Sequence, residues 1–218
     1  MRLNFNIILF GGGDSSVEIV DYILNDKKFD LKKYNLDILD DNNKNLRFFK
    51  DLSLKIKIHK LNNFHKIIKK NSRALITFGN PELRIKSTLL ASKKKIKLFK
   101  LIHSSSYVSK TSKIGLGSVI CPMCVIGSYS KISKNVYINS GSLIGHHTQI
   151  KENSVISPNC FFGGNSKLGK NSFIGASSVI YPNAKISNEC KIAAGSSVTK
   201  NVGSKSFVYG NPAKIVKK

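Results

Sequence analysis

Carboxylates are the scarcest of the charged groups in this chain: 12 Asp and Glu stand against 36 Lys and Arg in 218 residues, a formal net charge of +24. Beyond residue 100 only Glu152 and Glu189 remain, so chemistry built on paired acids has little material there. Histidine is nearly as rare in that stretch: His103, His146 and His147 are its only side chains that titrate near neutrality without help. No run of eighteen uncharged apolar residues exists, which excludes a conventional membrane-spanning helix. The opening Met1-Arg2-Leu3-Asn4-Phe5 leads into a strand-like run instead of a charged region and a cleavage site. A soluble, cytoplasmic protein without membrane insertion is expected.

Cysteine is also sparse, at Cys121, Cys124, Cys160 and Cys190. Cys121-Pro122-Met123-Cys124 has the C-x-x-C spacing of a metal site, but three of the four thiols fall on the small-residue position of a repeat described below. Buried, unreactive thiols and no metal are expected. The positive excess is spread evenly: residues 1–100 hold 22 basic and 10 acidic residues, residues 101–218 hold 14 and 2, a balance of +12 in each. Without a concentrated basic face, nucleic acid is not expected as a partner, although small anionic ligands gain from the field.

What the sequence does have is a period of six. Val108, Ile114, Ile120, Ile126, Ile132, Ile138, Ile144, Ile150, Ile156, Phe162, Leu168, Ile174, Ile180, Ile186, Ile192 and Val198 recur without a skip. Four residues after these anchors sit small or compact residues such as Ser118, Cys124, Ser130, Ser142, Thr148, Ser154 and Cys160. A six-residue period fits neither a helix nor plain strand alternation; it fits short strands joined by bends, three to a coil. Residues eighteen apart then stack, so Ile126, Ile144, Phe162, Ile180 and Val198 are expected to form one inner column. Glycine often follows the anchor, at Gly115, Gly127, Gly145, Gly163, Gly169 and Gly175, as expected where the chain bends with positive φ or packs tightly.

Residues 1–101 read differently. Ile7-Ile8-Leu9-Phe10 is a strand running into Gly11-Gly12-Gly13-Asp14-Ser15-Ser16, after which Val17, Val20, Ile23 and Leu24 share one helical face. Further strands are expected at Leu36–Leu39, Lys55–Ile58, Ala74–Phe78 and Lys97–Leu101, with helices at Asn63–Lys70 and Pro81–Ser92. The class is α/β plus all-β: a small parallel, Rossmann-like α/β domain over 1–101, then a parallel β-helix over 102–218. The Gly-rich turn and the acidic pair Asp40-Asp41 at the end of the next strand suit a nucleotide, or else an ordinary tight turn, since Ser16 stands where the dinucleotide fingerprint has its third glycine.

The hexads resemble those of the hexapeptide-repeat acyltransferases. With Phe10-Gly11-Gly12-Gly13, Ile38-Leu39-Asp40-Asp41, Phe78-Gly79-Asn80-Pro81, Ile138-Asn139-Ser140, Gly145-His146, Gly164-Asn165-Ser166 and Gly210-Asn211-Pro212-Ala213-Lys214, the chain looks like the nucleotide-amino-sugar N-acetyltransferases and sialic acid O-acetyltransferases. That resemblance implies a left-handed β-helix, a homotrimer and acetyl-CoA as co-substrate. It also implies a sugar-nucleotide site using Gly11, Gly13, Asp14, Ser15, Asp40, Asp41, Gly79, Asn80 and Asn139, and CoA binding near Gly164, Ala176 and Ala194. His146 matches the family's general base, with His147 beside it.

Three departures stand out. The family usually has an acid after the base, where His147 stands; it often has a histidine at the position of Val155, and another in the Gly-rich turn at Ser15. From the residues themselves, His146 lies on a corner one coil below Gly164, whose N–H is placed to meet a thioester carbonyl; the alternative is that both histidines are surface residues at a bend. The expected activity is acetylation of the amino group of a nucleotide-linked amino sugar for surface glycan biosynthesis. The alternatives are O-acetylation of sialic acid or a related sugar, and a non-catalytic sugar-nucleotide scaffold. A zinc carbonic anhydrase on the same β-helix would need three converging histidines, which this spacing does not supply.

Overall fold

The six-residue period is realised as two-residue strands, each followed by a four-residue corner, throughout residues 101–198. The computed structural model describes residues 5–29, 34–41, 49 and 56–217; Lys55, the first residue of an expected strand, lies outside them. Contacts separate two compact units, residues 1–78 with 83–99, and residues 79–82 with 100–218.

In the first unit, β1 (Phe5–Phe10), β2 (Tyr34–Leu39), β3 (Lys57–His59), β4 (Ser72–Ile76) and β5 (Lys97–Leu98) form one sheet in the order β3-β2-β1-β4-β5. Every pairing in it is parallel. Helices α1 (Asp14–Asn25), α2 (Phe64–Ile67) and α3 (Pro81–Lys93) lie between the strands in sequence. The helix expected over Asn63–Lys70 is shorter: a 3-10 turn at Leu61–Asn63 and the single turn of α2. The strand expected over Lys97–Leu101 divides. Lys97–Leu98 ends the α/β sheet, whereas Leu101–Ile102 pairs with Val119–Ile120 and starts the second unit. Ile102 is thus an anchor, one hexad earlier than the run that began at Val108.

The second unit is a three-faced parallel β-helix. Its first face runs from Leu101–Ile102 to Phe207–Tyr209 with an antiparallel edge strand at Lys214–Lys217, its second from Tyr107–Val108 to Ser197–Val198, and its third from Lys113–Ile114 to Lys185–Ile186. Registers are eighteen residues apart, so Ile126, Ile144, Phe162, Ile180 and Val198 do stack. From Ile120 to Val198 every anchor is buried, while Val108 and Ile114 at the open end are partly so. Stacked aliphatics remove water from the axis, and each is worth roughly 1.5–3 kcal/mol of burial.

Of the two grounds open for the glycines after the anchors, a bend at positive φ and tight packing, the structure shows the second. Positive φ does not fall on the glycines after the anchors; it falls three residues after each anchor, at every corner from Gly117 to Gly195. Asn fills six of those positions, Asn135, Asn153, Asn159, Asn165, Asn171 and Asn183, because Asn tolerates the left-handed region. The glycines after the anchors answer to close packing instead. A Cβ on Gly115, Gly127 or Gly145 would lie 2.6–2.8 Å from backbone atoms of the next coil.

The small residue four after the anchor is a buried donor. Ser118, Ser130 and Ser154 each give their hydroxyl to a carbonyl fifteen residues on, all at 2.8 Å. Cys124 and Cys160 do the same through sulfur at 3.2 Å. All four cysteines are buried and outside any disulfide, and burial pushes Cys124 and Cys160 up to about 11. The C-x-x-C spacing therefore reflects the repeat. Asn135, Asn153 and Asn171 add an amide ladder along one corner, at 2.9 and 3.0 Å.

Candidate functional site

The corner between the second and third faces carries the two histidines. Leu143–Ile144 delivers the chain to Gly145, and His146 and His147 follow, both exposed. Their backbone is pinned to neighbouring coils: the His147 N–H donates to Ser128 O at 2.8 Å, and His146 O accepts the Asn165 N–H at 2.9 Å. His147 occupies the left-handed corner position, with φ of +58°. Its ring stacks on Tyr129, one coil away, at 5.1 Å and 26°.

His146 lies against Gly164. A Cβ on that glycine would run into the imidazole, within hard contact of Nε2 and 2.5 Å from Cε1. The ring thus sits over bare backbone, as expected from the eighteen-residue stacking. Among the described residues the Gly164 N–H has no acceptor, and the same holds for Ala176 and Ala194. An unpaired N–H beside an imidazole gives a donor for developing negative charge next to a group able to take a proton.

Among the described residues no carboxylate pairs with His146. Its Nδ1 lies 3.1 Å from Nδ1 of His147, with the rings at 84° to one another. A hydrogen bond between two such nitrogens holds one proton, because two N–H groups would collide and two lone pairs would repel. Sequence reading singled out both histidines but not this contact, nor Tyr129.

Beside them opens a groove of about 920 Å³ on the third face, lined by Lys113, Lys131, Lys167 and Lys185 with Tyr129, His147, Asn165, Asn183 and Asn201 along its edge. The basic residues recur every eighteen, so the even charge of the sequence becomes a local row of ammonium groups. Only residue 149, a glutamine, interrupts it.

The remaining expected β-helix residues lie elsewhere on the prism. Asn139, Ala176 and Ala194 follow strands of the first face and occupy the edge between the first and second faces. A whole face therefore separates them from His146 and Gly164 on the same chain. That face is apolar outward, with Tyr107, Val125, Leu143 and Phe161 all exposed. His103, at the start of the β-helix, bonds through Nδ1 to Ser105 Oγ at 2.8 Å.

In the first unit, Gly11-Gly12-Gly13 leaves β1 where the strand order reverses between β1 and β4, the usual ligand crevice of such sheets. Gly11 has φ of +110° and lies under the ring of Phe78. Gly13, at the start of α1, is open, and Asp14 and Ser15 follow it at the surface and half-buried. The Gly12 N–H donates to the Asp40 carboxylate. Ser16, at the position of the missing glycine, is buried and donates to Gly11 O while meeting Thr77 Oγ1. Serine thus tightens the turn where a glycine would only have permitted it. Asp41 accepts the Leu61 N–H at 2.8 Å, and Asn80, next to Gly79, caps α3 by accepting the Glu82 N–H at 2.8 Å. A separate pocket of about 490 Å³, holding the Asp37–His59 pair at 3.0 Å, is lined by none of the expected residues. No group of three metal-ligating side chains occurs among the described residues.

With that geometry in place, residues 165–200 match the family model of bacterial transferase hexapeptide repeats. That segment therefore carries hexapeptide repeats of this kind. Its fold is similar to that of the acetyltransferase domain of PglB from Neisseria gonorrhoeae in complex with acetyl coenzyme A, at TM-score 0.85 and 22% identity, covering 98% of this chain and 100% of that one. PerB from Caulobacter crescentus, in complex with CoA and GDP-perosamine, matches at TM-score 0.76 and 20% identity over 96% of each chain. WeeI from Acinetobacter baumannii matches at TM-score 0.75 and 20% identity over 97% of this chain and all of that one. No curated protein matches the chain in sequence. At these identities the likeness is one of fold.

Proposed function

We propose that the chain is an acetyl-CoA-dependent N-acetyltransferase acting on the amino group of a nucleotide-linked amino sugar, in surface glycan biosynthesis. The observation that carries this reading is the imidazole of His146 over Gly164, with an unpaired N–H one coil away. The acceptor amine attacks the thioester carbon while its proton passes to His146 Nε2. The Gly164 N–H meets the oxyanion, the C–S bond breaks, and the proton leaves His146 for the CoA thiolate. Amine and thioester become amide and thiol with no group unaccounted for.

The fold likeness to structures that hold acetyl coenzyme A, and CoA with GDP-perosamine, supports both substrates. On this reading the β-helix is left-handed, the first unit is a Rossmann-like domain for the sugar nucleotide, and the row of lysines steers CoA phosphates. Because Asp40 already occupies the Gly12 N–H, the acids Asp40 and Asp41 serve as acceptors for ribose or base donors through their remaining lone pairs. Gly11, Gly13, Asp14 and Ser15 in the first unit, and Gly79, Asn80 and Asn139 in the second, are the residues assigned to the sugar nucleotide, and Ala176 and Ala194 those assigned to the pantetheine. Since Gly164 and the two alanines lie on different edges, the set closes when a second copy covers the apolar face, which supports a homotrimer. Cysteines outside any disulfide, and both substrates, fit the cytoplasm.

A thiol-release assay with acetyl-CoA against UDP-, GDP- and dTDP-linked amino sugars and free sialic acid tests the proposal. Turnover with an amino sugar nucleotide is expected. Turnover with sialic acid alone would move the reading to O-acetylation, and ligand binding without thiol release would make the protein a scaffold.

A further inference from the structure

The usual acidic partner of the base is missing, yet His146 is not left to swing. We propose that His147 is a positioning residue that replaces it: its Nδ1 lone pair accepts the His146 Nδ1–H and holds His146 in the tautomer whose Nε2 is free to take a proton. The inference rests on the acetyl-transfer reading and deepens it.

Each neutral imidazole carries one N–H, and the 3.1 Å Nδ1–Nδ1 separation leaves room for one proton between the rings. If His147 were the donor, His146 would hold its own proton on Nε2, at the edge lying over Gly164, and could accept nothing there. If His146 donates, that edge presents the lone pair. The acceptor ring is fixed on three sides. The φ of His147, +58°, sets the direction of Cβ, its backbone N–H is tied to Ser128 O at 2.8 Å, and its ring is stacked on Tyr129 at 5.1 Å. Tyr129 occupies the same left-handed corner position one coil earlier, so the stack is built into the register of the helix. A neutral acceptor of this kind fixes orientation and tautomer, and lends the imidazolium less charge stabilisation than a carboxylate would.

The position offers a test that separates orientation from folding, because Asn and Gly both suit a left-handed corner. In His147→Asn the amide Oδ1 takes the place of Nδ1 as acceptor; in His147→Gly no acceptor remains. In the full-length protein, with acetyl-CoA and the amino sugar nucleotide, His147→Asn is expected to keep kcat within about threefold, while His147→Gly loses about 10- to 100-fold in kcat at unchanged KM. Equal kcat in the two variants overturns the proposal, since a merely structural corner would treat them alike. ¹⁵N-edited NMR of the imidazole nitrogens gives a readout independent of turnover. His146 is expected as the Nδ1–H tautomer and His147 as Nε2–H, and the reverse assignment overturns the proposal even in an active enzyme. Absence of turnover in the wild-type protein together with the expected tautomers would sink the acetyl-transfer reading alone.

Discussion

Replacing Gly164 with alanine adds one methyl group to the outside of the β-helix, and it should cost far more in rate than in stability. Gly164 is outside the positive-φ set, so alanine meets no backbone strain there. The new Cβ would stand 2.5 Å from His146 Cε1 and still nearer Nε2, against an ordinary contact of 3.4–4 Å. The ring edge must therefore retreat by roughly 1 Å, a displacement that in other sites costs about 10²-fold in rate. His146 is exposed, so the retreat costs the fold only about 0.5–1.5 kcal/mol of rotamer strain, partly offset by the lower unfolded-state entropy of alanine. At this chain length the melting temperature should move by no more than about 2–4 °C. Gly145→Ala is the control, because its Cβ would meet the backbone itself, 2.6 Å from Phe162 O, and the coil rather than the ring must give way. Thiol release measured beside thermal melts decides the matter. Gly164→Ala with kcat within twofold of wild type would show that no working imidazole needs the space above Gly164.

Phe162→Ala empties the middle of a buried column and should lower unfolding free energy by about 3–5 kcal/mol in denaturant melts, with the neighbouring anchors in place. Stability should also fall as pH rises from 9 to about 11, because burial lets Cys124 and Cys160 keep their protons in the fold to about 11 against an ordinary value of 9.0, and the folded state alone holds those protons in that window. Below pH 9 the two thiols should leave stability flat, and a Cys124→Ser, Cys160→Ser double variant should flatten the alkaline arm. Lys131→Glu with Lys167→Glu should raise KM for acetyl-CoA by about 10-fold at low ionic strength and less in salt, read from saturation curves, if the lysine row steers phosphates.

The β-helix was legible because each hexad repeats one instruction. An aliphatic at the anchor and a small residue four later recur so regularly that Ile126 and Val198, four coils apart, fall in one column. The donor role of Ser118 or Cys124 was not legible, since size alone does not reveal a carbonyl fifteen residues away. The sequence left two mechanisms open for the glycines after the anchors: Gly115 and Gly145 mark close approach of coils, while the left-handed corner falls two positions later, on Asn at six corners. Stacking by eighteen placed His146 against Gly164, yet the bond between His146 and His147 depends on rotamers that no spacing encodes. In the first unit, alternation gave the strands, but the Asp40–Gly12 contact emerges only when β1 and β2 lie side by side, and the Ser16–Thr77 contact only when β1 and β4 do.

The proposed chemistry needs His146 as its proton acceptor. Measured with acetyl-CoA and an amino sugar nucleotide, kcat/KM of His146→Ala should drop by about 10²- to 10⁴-fold while the melting temperature and oligomeric state stay as in the wild type. Undiminished turnover in a well-folded His146→Ala protein would contradict it.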